Sequence, residues 1–122
     1  MVEYIEKKSR FLGFAMFTSK EAEAREYISK IAALHKKANH VAYSYVCVDG
    51  ARMFDDGEPK GTAGFPIYSL INRRNLDNIV IIVVRYFGGT MLGRGGLVRA
   101  YSKTAGLAAD WLKENSEKEG GE

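Results

Sequence analysis

The sequence predicts an α+β domain, and three patterns predict it. Residues Ile79 to Val84 form an unbroken run of isoleucine and valine. This run lacks the alternation of a strand with one wet face and reads as a buried central strand. The stretches 10–17 and 40–48 split by parity into two apolar or small faces, the period of a strand. The stretches 18–37 and 97–112 carry apolar residues at helical spacing.

Each element has its own local reasons. Met1 to Arg10 is polar and charged, and no strand is read there. In the first strand, 10–17, Phe11, Gly13, Ala15 and Phe17 share one face and Leu12, Phe14 and Met16 the other. Thr18 with Glu21 three residues on reads as a capping box opening a helix to Lys37. Glu21, Glu23 and Glu26 suit its positive start, and Lys36 and Lys37 its negative end. The strand 40–48 follows, and Asp49-Gly50 signals a tight turn into a short return strand, 51–54. Asp55 to Pro66 is rich in acids, glycines and prolines and reads as a structured loop. Pro66 suits the first turn of a helix whose buried side is Ile67, Leu70 and Ile71. The central strand comes next, then Gly88-Gly89-Thr90-Met91-Leu92-Gly93-Arg94-Gly95-Gly96, then the last helix with Leu97, Tyr101, Ala105, Ala108 and Leu112 on one face. After Lys113 only polar residues and glycine remain. We therefore expect a folded domain over 1–113 and a disordered polar tail over 114–122.

At 122 residues, 46% hydrophobic and 27% charged, the composition is that of one globular domain. The longest apolar run is too short to span a bilayer, and residues 1–10 hold no signal-peptide core, so no membrane partner is expected. The single cysteine, Cys47, suits a reducing compartment, and a cytoplasmic location is expected. The net charge of +3 is uneven. Between Gly50 and Ala105 lie Arg52, Lys60, Arg73, Arg74, Arg85, Arg94, Arg99 and Lys103, against only Asp55, Asp56, Glu58 and Asp77. A basic centre invites an anionic partner. A solvated surface of Arg–acid pairs is the structural alternative.

The glycine loop comes near two phosphate motifs and meets neither. After Gly88, four residues and Gly93, a Walker A loop needs lysine and a hydroxyl, but Arg94 and Gly95 stand there. The dinucleotide fingerprint needs a glycine at Val98. Either an anion sits on the free N–H groups and Arg94 of this loop, or the glycines permit a tight strand-to-helix crossing. Asp55, Asp56 and Glu58 with His40 have the chemistry of a divalent-metal site, but their spacing matches no EF-hand loop and no second His or Cys cluster supports zinc. The same carboxylates beside Arg85 or Arg94 would instead be structural ion pairs. No serine or cysteine stands in a nucleophile signature, so no catalytic residue, metal or cofactor is assigned. Tyr86 and Phe87, just before the loop, could present a ring to a base or a peptide.

Five motifs in order resemble one family. They are Lys8-Ser9-Arg10-Phe11, His40-Val41-Ala42-Tyr43, Asp55-Asp56-Gly57-Glu58-Pro59 with Gly61-Thr62-Ala63-Gly64, Val84-Arg85-Tyr86-Phe87-Gly88-Gly89, and Leu92-Gly93-Arg94-Gly95-Gly96-Leu97-Val98-Arg99-Ala100-Tyr101. Together they resemble the N-terminal domain of the IMPACT/YigZ family over about Lys7 to Leu112. The resemblance implies a two-layer α+β sandwich like domain 2 of the small-subunit ribosomal protein S-five. A mixed four-stranded sheet would carry its helices on one face. It also implies translation regulation in a stress response, a protein, RNA or ribosome partner, and in many members a second, ferredoxin-like domain.

From this follows the expectation of a translation-linked binding domain, non-enzymatic, that engages a protein or a nucleic acid. The candidate surface is His40, Asp55, Asp56, Glu58, Gly61, Thr62, Arg85, Tyr86, Gly88, Gly89, Arg94, Gly95 and Arg99. The rival is a phosphate- or nucleotide-ligand-binding domain, or an enzyme, built on Gly88 to Gly96.

Overall fold

The computed structural model describes residues 1–120, with side chains described to residue 116. Its elements are β1 (Val2–Glu6), β2 (Ser9–Phe17), α1 (Glu21–Leu34), β3 (His40–Cys47), β4 (Gly50–Phe54), α2 (Gly64–Arg73), β5 (Ile79–Tyr86) and α3 (Gly93–Gly120). The expected boundary at residue 113 falls within the span of α3. Residues 121 and 122, the end of the expected polar tail, lie outside the described residues.

The α+β class is as expected, but the sheet differs from the mixed, four-stranded expectation. It has five strands in the order β1-β2-β5-β3-β4, and every neighbouring pair is antiparallel. The crossover through α1 leaves β2 and β3 pointing the same way with a gap between them. β5 fills the gap in the opposite sense, so no two parallel strands become neighbours. The extra strand is β1, where Val2 and Tyr4 pack on the core and alternate with exposed Glu3 and Ile5. Its turn hid it: Lys7 and Lys8 take φ of +46° and +68°, a left-handed turn that usually carries Asn or Gly.

The helices also do not all share one face. Ile79, Ile81 and Val83 of β5 pack with Phe11, Ile67, Leu97 and Tyr101 under α2 and α3. Val80, Ile82 and Val84 pack with Leu12, Tyr45, Ala24 and Ile31 under α1. The cause is β5 itself: it has no polar face, so both of its sides need cover.

The start of α1 departs from the expected capping box. The Thr18 N–H donates to the Asn78 carbonyl, which keeps the chain extended, and the helix begins at Glu21. Its first N–H is capped from a distance by Asp49 Oδ1, at 2.9 Å. The Glu21 carboxylate accepts from the Tyr45 hydroxyl instead, at 2.8 Å. The Cys47 thiol donates to the Thr18 carbonyl, and burial pushes its pKa up, which keeps it protonated and unreactive. No helix among the described residues is long and apolar enough to cross a membrane.

The loop glycines divide by physical cause. A Cβ on Gly88 would lie 2.1 Å from the backbone carbon of Lys8, where the β1–β2 turn crosses the loop. Gly89 and Gly93 take φ of +91° and +75°. Gly95 faces only the mobile guanidinium of Arg99, at 3.3 Å. Gly88→Ala is therefore expected to cost about 3 kcal/mol or more in urea unfolding, since backbone must shift. Gly95→Ala should stabilise α3 by up to about 1 kcal/mol.

Candidate functional site

Strand alternation places Arg85 on the α3 side of β5 and Tyr86 on the α1 side. Arg85 is nearly buried, its side chain 7% exposed, and it faces Glu58, whose side chain is 3% exposed. One guanidinium nitrogen, Nη1, donates to both carboxylate oxygens, at 3.0 and 2.9 Å. The Tyr101 hydroxyl from α3 donates to Glu58 Oε2 at 2.5 Å. The Ser9 hydroxyl accepts from Arg85 Nε and Nη2 and from the Gly88 N–H. Phe11 lies beneath the guanidinium, 5.6 Å from ring centre to charge.

His40, the first residue of β3, completes this group. Its Nδ1 lies 2.7 Å from the Asp56 carbonyl. A carbonyl only accepts, so Nδ1 carries the proton. Nε2 then faces Glu58 Oε1 at 3.4 Å, a contact that attracts only when the ring is protonated. Glu58 thus ties together β3, β5, α3 and the loop before α2.

The other loop acids are structural. Asp55 accepts from the N–H groups of Gly61, Ala63 and Gly64, which shapes the loop and caps α2. Asp56 Oδ2 accepts from the Val41 N–H at 2.7 Å. Thr62 is buried, and its hydroxyl donates to the Pro59 carbonyl. Gly61 takes φ of +80°. No group of three metal-binding side chains stands together among the described residues. The acids considered as metal ligands already hold N–H groups or Arg85.

Above the Glu58–Arg85 pair opens a cleft of about 390 Å³. Of the residues expected in the site, it brings together His40, Glu58, Arg85 and Arg94. Pro59, Met91, Leu92 and Leu97 make its apolar walls. Phe87 stands at it, 44% exposed, with the Arg85 guanidinium 5.5 Å from its ring. Arg94 reaches the Lys60 carbonyl at 2.7 Å and otherwise faces solvent. Arg99 is exposed on α3, one turn away. Tyr86 does not line the cleft; its hydroxyl bonds His35 Nδ1 on the opposite face, at 2.7 Å. Gly88, Gly89, Gly95 and Arg99 are not among the residues that line the cleft.

Two parts of the site escape sequence reasoning. Ser9 and Tyr101 complete the buried network from distant positions, and only the 3.6-residue phase of α3 hinted that Tyr101 faces inward. The second is a set of cations gathered at this end of the sheet. The β1–β2 turn, Lys7 and Lys8, lies beside the end of β5 because Arg10 pairs with Tyr86. Lys36 and Lys37 end the segment that enters β3 at His40, and His40 pairs with Arg85. Lys60 touches Arg94. These five lysines are exposed and make no ion pair among the described residues.

A buried, multiply bonded carboxylate–guanidinium pair thus lies at the end of the sheet, beneath a cleft whose lining includes Arg94. The chain belongs to the IMPACT family: the model for the Impact N-terminal domain matches residues 7–109. It is 43% identical over 105 residues to the IMPACT family member YvyE of Bacillus subtilis (strain 168), covering 84% of this chain and 48% of that protein. It is 38% identical over 100 residues to the IMPACT family member YigZ of Escherichia coli (strain K12), covering 78% and 49%. The chain spans about half the length of the curated relatives it matches. Among solved structures, a crystal structure of a hypothetical protein aligns with a TM-score of 0.84 and 35% identity, over 89% of this chain and 55% of that one. The two-domain translational regulator Yih1 aligns with a TM-score of 0.55 and 24% identity, over 90% and 45%, and shares the fold.

Removing one partner of the buried pair leaves the other charge stranded. Glu58→Ala should therefore lower unfolding stability by about 3–5 kcal/mol. Tyr101→Phe should cost about 1.5–3 kcal/mol near neutral pH, the range for a hydrogen bond to a charged group. Burial, then the bond to Glu58, holds the Tyr101 hydroxyl in its protonated form well above its ordinary value of 10.0. A raised folded-state pKa contributes stability that is whole below about pH 10 and declines as pH rises past it. The stability gap between wild type and Tyr101→Phe should accordingly narrow above pH 10 in urea titrations. A constant gap would show that Tyr101 acts through packing alone.

Proposed function

We propose that this domain is a translation-linked regulatory module that binds RNA, free or on the ribosome, with the cleft end of its sheet. The observation that carries this reading is the gathering of Lys7, Lys8, Lys36, Lys37, Lys60 and Arg94 at one end. Of the acids there, Glu58 pairs with Arg85, Asp55 and Asp56 accept backbone N–H groups, and Glu6 adjoins Lys7. Even with Glu6 counted, cations outnumber acids at that end of a chain whose net charge is +3, which favours an anionic partner. Membership of the IMPACT family and the shared fold with a translational regulator support the link to translation. A protein partner is the second reading. It is favoured by the apolar walls of the cleft and by Met91, which is 79% exposed.

Fluorescence anisotropy with labelled RNA over a salt series separates the two. Affinity for RNA should fall steeply with salt. The combined variant Lys7→Ala, Lys8→Ala, Lys60→Ala, Arg94→Ala should flatten the logarithmic slope by about 0.7 for each cation that faces a phosphate. Its fold should hold, because these side chains are exposed. No binding at low salt, or a slope unchanged in the variant, would sink the RNA reading and leave the protein partner.

A further inference from the structure

We propose that the cleft seats one unstacked nucleobase against the Phe87 ring, which makes single-stranded RNA, not a duplex, the ligand of this domain. The inference rests on the RNA-binding reading and adds to it a site and a strand preference.

Phe87 is held in place before any ligand arrives. Its N–H donates to Asn39 Oδ1 at 2.8 Å, and the Arg85 guanidinium sits 5.5 Å from its ring. The next residue, Gly88, is pinned against the Lys8 backbone. Arg85 is itself locked by Glu58 and Ser9, so the ring rests on a buried, fully bonded support. Yet 44% of Phe87 stays exposed. An aromatic that is fixed from behind and open in front is a stacking platform, and stacking accepts any base because every base has a π face.

The size of the cleft narrows the occupant. About 390 Å³ is at the small end of ligand-sized cavities, which run from about 300 to 1,000 Å³. It suits one planar group between Phe87 and the walls of Pro59, Met91, Leu92 and Leu97. An extended peptide would need a longer groove. The rim supplies the rest of a nucleotide's needs. Arg94 and Lys60 stand where a flanking phosphate would sit, and the Asn39 amide reaches the cleft as a polar group for a base edge. A base paired inside a duplex cannot enter such a cleft without leaving its stack.

The test uses a single-stranded RNA carrying one 2-aminopurine, whose fluorescence is quenched by stacking, and a duplex of matched length. Wild type should bind the single strand more tightly than the duplex and quench the probe. Phe87→Ala should weaken single-strand binding about tenfold, restore the fluorescence and leave duplex affinity unchanged. Phe87→Leu keeps an apolar side chain without the ring, so it should show the same loss of binding and quenching even if the alanine variant fails to fold. Phe87→Trp should retain both affinity and quenching. Salt-dependent RNA binding with unaltered affinity and unaltered probe signal in Phe87→Ala and Phe87→Leu would overturn the base site and leave the RNA reading standing. Absence of RNA binding by wild type at low salt would overturn both.

Discussion

The contact on which the rest of the molecule depends is the buried pair of Glu58 and Arg85. Burying two charges costs several kcal/mol for each ion, and geometry must offset it. Here Glu58 accepts two bonds from Arg85 and one from Tyr101, and Arg85 gives two more to Ser9. No buried side-chain polar atom among the described residues is left without a partner. Such a network is satisfied in one arrangement only. It therefore sets where the loop from Asp55 to Gly64 lies relative to β5 and α3, and so the floor of the cleft.

That arrangement also sorts charge by sign. Carboxylates near the cleft point inward, to Arg85 or to backbone N–H groups, and cations point outward. Asp55 and Asp56 stabilise turns that neutral residues of the same size could hold less well, since charged acceptors bind N–H groups more strongly. The consequence is an excess of exposed cations at that end of a chain of small net charge. Arg85 contributes little to that excess because its charge is balanced within hydrogen-bond distance. Its role at the surface is indirect, as the support behind Phe87.

The regular elements were legible because their periods survive in the sequence. The parity of Ile79 to Val84 and the stripe from Leu97 to Leu112 correspond to β5 and α3 directly. Where local signals were read too literally, a long-range contact had won. Thr18 looked like a cap, but its N–H serves the sheet, and Asp49 from another hairpin caps α1. β1 was hidden because two lysines occupy a turn that glycine or asparagine would have announced. In the site, the acidic and glycine loops lie at one end, and which carboxylate meets which arginine was open in the sequence. Glu58 takes Arg85 because both sit on the α3 side of the sheet end, and Arg94 finds only a carbonyl.

By itself the sequence determined the class, the central strand, the long helices and the family, since these rest on local periodicity and on contiguous motifs. It also determined that nucleotide chemistry of the Walker or dinucleotide kind is missing from the glycine loop, because those motifs are matters of spacing. Tertiary structure alone decided the sheet order, the helix on the second face, the buried five-residue network and the gathering of lysines at one end. Each of these joins residues far apart in the chain. Lys7 and Lys36 come to one end only because β2 and β3 both pair with β5. No local pattern records a pairing register, and the register is what turns scattered charges into a surface.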